Sequence, residues 1–155
     1  MENKIVIIDY SPEYQPAFKA LNVSWIEKSF EMEPIDFYQL DHPEEAILKD
    51  GGCIILAQYD NKIVGTCALI RMDAAVVEMI KMAVDERYRG LKIGYELGRA
   101  IIDKAKQLGA KKIELYSNTK GSASAVQLYR KLGFREIPLD HMEFKRADIK
   151  MELEL

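Results

Sequence analysis

Arg87-Tyr88-Arg89-Gly90-Leu91-Lys92-Ile93-Gly94 joins an apolar segment to the most regular helical pattern in the chain. The segment before it, Ala75 to Val84, is rich in strand formers, and apolar residues recur every three or four positions from Ile93 to Leu108. A helix start offers unpaired N–H groups and a positive dipole end, and glycine lets the backbone approach an anion. The stretch therefore predicts a pyrophosphate site with charge-assisted contacts from its basic side chains. A glycine turn with solvated charges explains the loop alone equally well.

Outward from this loop, strand and helix patterns alternate. The predicted elements are a strand at Ile5–Ile8, two or three short helices within residues 13–49, a hairpin of Cys53–Tyr59 and Lys62–Arg71, the strand before the loop, the long helix after it, a strand at Lys111–Ser117, a helix at Ala123–Leu132 and a strand from Ile149. This order predicts an α/β fold of the α+β type with one mixed sheet, and we expect a single domain spanning residues 1–155.

Composition narrows the class of protein. The chain has 155 residues, 48% of them hydrophobic, which suits one core. Its formal net charge of −3 provides no basic field for nucleic acid. The N-terminus lacks a signal-peptide pattern, and no apolar run reaches about 18 residues. We therefore expect a cytoplasmic protein that binds neither nucleic acid nor membranes.

The cysteines and histidines predict no special chemistry. A hairpin closed by a two-residue turn places Cys53 opposite Ala68, so that Cys67 points to the other face of the sheet. That geometry disfavours a disulfide and predicts two small buried hydrophobic side chains. His42 and His141 are far apart and outside any metal-ligand spacing, so we expect surface histidines and no metal site.

Two motifs carry a family resemblance. Arg87-x-x-Gly90 matches the first half of the Arg/Gln-x-x-Gly-x-Gly/Ala signature of the GNAT superfamily of N-acetyltransferases, and Ile93-Gly94 keeps a frequent continuation. Lys92 departs from the small residue usual at the third position. Farther on, Leu128-Tyr129-Arg130-Lys131-Leu132-Gly133-Phe134 resembles a helix end typical of these enzymes. The resemblance covers residues 50–135 well and the rest by general plan.

The resemblance implies a fold and a co-substrate. The fold is a mixed, mostly antiparallel sheet, flanked by helices, whose fourth and fifth strands splay apart to admit the pantetheine arm of acetyl-CoA. A polar contact from Asn118 is implied, while Ser122 stands where the family commonly has Asn. The implied cofactor-binding residues are Met82, Ala83, Val84, Arg87, Arg89, Gly90, Leu91, Lys92, Ile93, Gly94, Asn118 and Tyr129.

The implied reaction transfers an acetyl group to an amine, which must be neutral to attack although a lysine-like ammonium has a pKa of about 10.4. By resemblance, Tyr129 faces the cofactor sulfur and donates a proton to the departing thiolate. Its alternative role is a core aromatic. Glu78 aligns with a strand glutamate that serves as general base in some members, and its alternative role is an ordinary paired carboxylate.

The acceptor side is less defined. Residues 24–50 carry eight acidic and two basic side chains, which either attract a cationic amine or form a solvated helix face. Trp25 is either a wall of the acceptor site or, as one member of an apolar stripe, a core residue. The resemblance predicts an N-acetyltransferase acting on a small-molecule or protein amine. The alternative is a non-catalytic acyl-CoA-binding module, and the acceptor and a homodimer are left open.

Overall fold

Seven strands form one sheet in the order β1-β2-β3-β4-β5-β7-β6. The computed structural model describes residues 4–139 and 145–155, so His141 lies outside the described residues. The strands are β1 (Ile5–Asp9), β2 (Cys53–Tyr59), β3 (Lys62–Arg71), β4 (Val76–Val84), β5 (Lys112–Ser117), β6 (Arg135–Ile137) and β7 (Ile149–Glu154). The short strand β6 was not predicted from the sequence.

In the described part of the chain, four helices flank the sheet: α1 (Gln15–Ser29), α2 (Pro34–Asp41), α3 (Ile93–Gln107) and α4 (Ala123–Leu132). A short π-helical turn, Glu44–Leu48, follows α2. Helix α3 forms because Ile93, Leu97 and Ile101 recur on one face at four-residue spacing, and all three are buried. No helix in the described parts of the chain combines the length and apolarity needed to cross a membrane.

The splayed strands are visible in the pairing of β4 with β5. Among residues 4–139 and 145–155, this strand pair is parallel and every other one is antiparallel. It holds three residue pairs, the last being Glu78 with Glu114. Beyond Glu78 the ladder ends, although β4 runs on to Val84 and β5 to Ser117. The expected mixed, mostly antiparallel sheet is therefore confirmed, with a wedge open between its fourth and fifth strands.

Each face of the sheet has its own buried cluster. On one face, Leu97 and Ile101 of α3 pack with Leu69, Ile113 and Met151 from the strands. The other cluster contains Phe18 of α1 and Leu40 of α2 together with apolar side chains of β2, β3 and β4. The wedge thus opens between two helical layers, each anchored by its own core.

The predicted register of the cysteines is wrong. The turn at Asp60-Asn61 forms as expected, but a β-bulge beside Ala57 adds one residue to β3, and Cys53 pairs with Leu69 instead of Ala68. A one-residue slip reverses the side-chain alternation, so Cys53 and Cys67 contribute to the same core. Both thiols are free, and burial raises the pKa of Cys53 to about 11. His42 is exposed, as predicted.

Candidate active site

The divergence of β4 and β5 creates a small cavity, here called the wedge cavity. Its accessible volume is about 80 Å³. Helix α1 and the residue after it contribute Asn22, Trp25, Ile26 and Phe30, and β4 contributes residues Glu78–Met82. The rest of the lining consists of residues Leu115–Asn118 at the end of β5, Ser122 and Tyr129 at α4, and Arg146 with Ala147. Side chains from both helical layers therefore meet in one place.

A bulge in β4 shapes this cavity. The pairing of β3 with β4 shifts between Thr66 and Ala68, and Lys81 adopts a left-handed φ of 57°. The Thr66 hydroxyl donates to the Lys81 carbonyl at 2.8 Å, and the Asn22 amide donates to Thr66 Oγ1 at 2.9 Å. All three residues are buried, so these bonds satisfy polar atoms that water cannot reach. The bulge is thereby fixed to α1 and β3.

A cluster of charged side chains connects α2 to β4. The fully buried Asp36 carboxylate accepts from Lys81 Nζ at 2.5 Å and from two nitrogens of Arg146 at 2.8 and 2.9 Å, while Glu33 accepts from Arg146 Nη1 at 3.0 Å. Burial alone would raise the pKa of Asp36, but the Arg146 hydrogen bonds and the Lys81 charge outweigh it and lower that pKa to about 2. Burial lowers the pKa of Lys81, opposed by Asp36.

The charge cluster reduces the number of acidic side chains in residues 24–50 that can attract a ligand. Asp36 and Glu33 are paired with cations on the cavity wall and offer little net charge to an incoming ligand. Asp41 pairs with Lys19, and Glu44 accepts a hydrogen bond from Tyr10. The remaining acids of the segment are exposed: Glu27, Glu31, Glu45 and Asp50. These four and Glu44, whose charge the Tyr10 hydroxyl does not cancel, are exposed carboxylates that can attract a cation.

Glu78 and Tyr129, the two predicted catalytic residues, both line the wedge cavity. Glu78 is 5% exposed and stands at the last paired position of β4 with β5. Tyr129 is 6% exposed, and its ring meets the Phe134 ring edge-on at 6.0 Å. Burial, with a smaller contribution from Cys67, raises the pKa of the Tyr129 phenol above its ordinary value. Burial thus keeps the phenol protonated near neutral pH.

A second depression, here called the loop groove, follows the start of α3. Its volume is about 330 Å³. Gly90 and Lys92 have left-handed φ values of 85° and 62°, a backbone that turns neighbouring N–H groups toward one side and favours an anion. A Cβ added at Gly90 would meet no protein atom within 4 Å, so the space beside it is open to a ligand.

The predicted cofactor residues divide among these sites. Lining the loop groove are Met82, Ala83, Val84, Arg89, Gly90, Lys92, Ile93 and Gly94. Asn118 and Tyr129 line the wedge cavity, as does Met82. The Asn118 side chain is already engaged, because its Oδ1 accepts from two backbone amides of the β5–α4 loop and its amide donates to the Arg146 carbonyl at 2.5 Å.

Arg87 and Leu91 are placed elsewhere. The Arg87 guanidinium donates to Asp85 at 2.8 and 3.2 Å and lines a third depression, here called the α1 groove, which runs between α1 and the end of β4. Leu91 is 40% exposed and lines none of these three depressions. Neither side chain faces the loop groove in this structure.

Sequence reasoning left the role of Trp25 open and did not identify Lys81 or Arg146 as residues of the site. Trp25 lines all three depressions and belongs to neither buried cluster, so the core interpretation of this residue is wrong. Lys81 had one visible signal, a lysine inside an otherwise apolar strand. Arg146 had none, because its partner Asp36 is 110 positions away in the sequence.

A family model and a solved structure both match this chain over most of its length. The family model described as "Acetyltransferase (GNAT) family" matches residues 13–134. A crystal structure of a GNAT-family acetyltransferase from Staphylococcus aureus Mu50 superposes with a TM-score of 0.86 at 30% identity, covering 97% of this chain and 99% of that one.

Two further proteins are similar to this chain, one at lower sequence identity and one over a shorter part of the chain. A Salmonella typhimurium protein whose structure was solved with its cofactor acetyl-CoA has a TM-score of 0.78 at 15% identity, over 97% of this chain and 93% of its own. An uncharacterized N-acetyltransferase of Bacillus subtilis (strain 168) is 33% identical over 99 residues, which are 64% of this chain and 63% of that protein. The chain thus spans less than two thirds of that curated relative. With most of its length matched by the family model, this chain belongs to the GNAT acetyltransferase family.

Proposed function

We propose that this protein is an N-acetyltransferase that moves the acetyl group of acetyl-CoA directly to a primary amine of a small molecule or protein. The observation that carries the proposal is the meeting of buried Glu78 and Tyr129 in one cavity. That cavity shares Trp25 and Met82 with the loop groove, so the two depressions adjoin, and we infer that a ligand arm passes from the groove into the cavity. Membership of the family supports the same chemistry.

The loop groove is the proposed site for acetyl-CoA. The pyrophosphate would accept hydrogen bonds from backbone amides between Gly90 and Gly94, at the positive end of the α3 dipole. Arg89, which lines the groove, adds charge. The pantetheine arm would follow Met82 to Val84, where β4 has lost its neighbour β5 and exposes backbone groups for pairing.

The chemical step places the acetyl carbonyl in the wedge cavity. The amine nitrogen forms a bond to the carbonyl carbon, and the carbon–sulfur bond breaks with its electron pair on sulfur. Tyr129 gives its proton to the departing thiolate, and Glu78, directly or through water, accepts the proton that the amine loses. Reaction in a buried cavity strengthens these electrostatic contacts relative to water.

The decisive experiment is release of free CoA thiol across a panel of amines. Tyr129→Phe keeps the ring and its packing but removes the hydroxyl, so turnover should fall by roughly 10²- to 10⁴-fold while cofactor affinity is retained. Near wild-type turnover in this variant would return Tyr129 to a packing role. Glu78→Gln should lose most activity at low pH and recover partly as pH rises, and a profile parallel to wild type would remove Glu78 from the mechanism.

Calorimetry tests the cofactor site separately. Gly90→Val places a branched side chain at a left-handed φ and in the space open to the pyrophosphate, so binding of acetyl-CoA should be strongly weakened. Equal binding by the two proteins would contradict the assignment. Binding by the wild type without turnover of any amine would instead favour the acyl-CoA-binding module.

The cellular setting is also a proposal. We infer a cytoplasmic protein acting as one domain, supported by its composition and by a family match that runs from residue 13 to residue 134.

For the acceptor, the exposed acids Glu27, Glu31, Glu45 and Asp50 support a cationic amine. Its Michaelis constant should then rise with salt, because exposed charges are screened over about 10 Å at 0.1 M.

A further inference from the structure

Trp25 is the sole tryptophan of the chain and occupies an unusual position. It lies on α1, is only partly buried, and belongs to neither of the two core clusters. A large aromatic side chain outside the core of a folded protein commonly marks a contact surface. Its ring lies 6.2 Å from the Phe30 ring, at an interplanar angle of 39°.

The surroundings of Trp25 connect the proposed sites. In the loop groove it shares the wall with Met82 and Val84, along the strand edge. In the wedge cavity it shares the wall with Phe30 and Tyr129. The side chain therefore borders both the path of the pantetheine arm and the place where the acceptor must approach the acetyl group.

We propose that Trp25 is a positioning residue for both substrates. Its indole packs against the pantetheine arm next to the thioester and against the carbon chain of the acceptor. By covering the junction it holds the amine near the carbonyl and excludes water, which would otherwise compete for the acetyl group. This inference rests on the proposed function, and it assigns a substrate contact to α1, whose Asn22 and Ile26 also line the wedge cavity.

A spectroscopic test follows from the single tryptophan. Acetyl-CoA is titrated into wild-type protein while indole emission and, in parallel, calorimetric heat are recorded. Because the arm displaces water from the indole, emission should shift to shorter wavelength and saturate along the calorimetric isotherm. In the matched control Trp25→Phe/Phe37→Trp, the only indole lies on α2 at a position that is 47% exposed and borders none of the three depressions. That control should bind with unchanged emission.

The outcomes separate this inference from the function beneath it. Calorimetric saturation with no emission change in the wild type overturns the role of Trp25 and leaves cofactor binding intact. Absence of binding heat overturns the proposed function and this inference together. An equal emission shift in the relocated-tryptophan control would show a general conformational effect and overturn the direct contact.

Kinetics supply a second readout. Trp25→Ala should raise the Michaelis constant for the acceptor by about 10- to 100-fold, the loss expected when one buried aromatic contact is removed. Hydrolysis of acetyl-CoA without transfer should increase, and Trp25→Phe should restore most of the transfer. A wild-type Michaelis constant and transfer-to-hydrolysis ratio in Trp25→Ala would overturn the inference. If Trp25→Ala fails to fold, the emission titration of the wild type decides.

Discussion

The charge cluster that joins α2 to β4 predicts a large cost for Asp36→Asn. In the wild type the fully buried carboxylate contacts Lys81 Nζ at 2.5 Å, and the Lys81 side chain is only 3% exposed. Removing the negative charge leaves that ammonium buried beside a neutral amide, a change that costs about 3–5 kcal/mol. A chain of 155 residues has an unfolding entropy of roughly 0.33 kcal/mol/K, at about 2.1 cal/mol/K per residue. The melting temperature should therefore fall by about 9–15 °C.

The same substitution should change how stability depends on pH. The pKa of Asp36 is lowered from 3.8 to about 2, so the wild type gains about 2 kcal/mol from the ionised group above about pH 4 and loses it as pH falls toward 2. Asp36→Asn removes this contribution. The pKa of Lys81 is already lowered by burial and loses its opposing carboxylate, so the variant should become more stable as pH rises and Lys81 deprotonates.

A double-mutant cycle measures the pair directly. Urea unfolding followed by far-UV circular dichroism is recorded for wild type, Asp36→Asn, Lys81→Met and the double variant. Lys81→Met should cost less than Asp36→Asn, because Asp36 keeps both bonds to Arg146. The double variant should recover part of the loss, since no uncompensated ammonium is buried. Additive free energies within about 0.5 kcal/mol would refute the reasoning.

Three further perturbations test other parts of the fold. Thr66→Val deletes the hydroxyl that donates to the Lys81 carbonyl and should cost about 1–3 kcal/mol in urea unfolding, whereas Thr66→Ser, which keeps it, should cost less; equal costs would contradict the bond. Lys92→Gly relieves a left-handed φ of 62° that costs about 1–2 kcal/mol and should raise the melting temperature by about 3–6 °C, so a decrease would argue against strain there. Cys53 and Cys67 should react slowly with a thiol reagent near neutral pH until denaturant is added, because burial raises the pKa of both; rapid reaction of the folded protein would disprove this.

Elements with local signals were predicted well. The helix from Ile93 and the helix Ala123–Leu132 follow from apolar spacing with glycine at their ends, and the Asp60-Asn61 turn follows from its residue types. The divergence of the fourth and fifth strands followed from the family motifs, since nothing local in either strand indicates it. The roles of Glu78 and Tyr129, the single domain and the cytoplasmic location stay predictions.

Features set by tertiary contacts could not be predicted. The bulge beside Ala57 shifts the register and places Cys53 on the same face of the sheet as Cys67. One inserted residue has no sequence signature of its own, so this shift could not be predicted. The interaction of Asp36 with Lys81 spans 45 positions and forms only when α2 is docked on the sheet. Arg87 was expected at the phosphates because of its position in the motif, yet the nearby Asp85 carboxylate takes its guanidinium in this structure.

Backbone strain is concentrated at the proposed cofactor edge. Among the described residues, the non-glycine positions with positive φ are Asp60, Asn61, Lys81 and Lys92. The first two form the hairpin turn that such values require. The two lysines have no turn to explain them, and they bracket the Met82-to-Val84 edge and the loop after it. A left-handed conformation costs roughly 1–2 kcal/mol for such residues, so the surrounding structure must hold them. Thr66 and Asp36 do so at Lys81. The Lys81 end of the segment is therefore fixed before a ligand arrives, which lowers the entropy lost when the pantetheine arm of acetyl-CoA binds there.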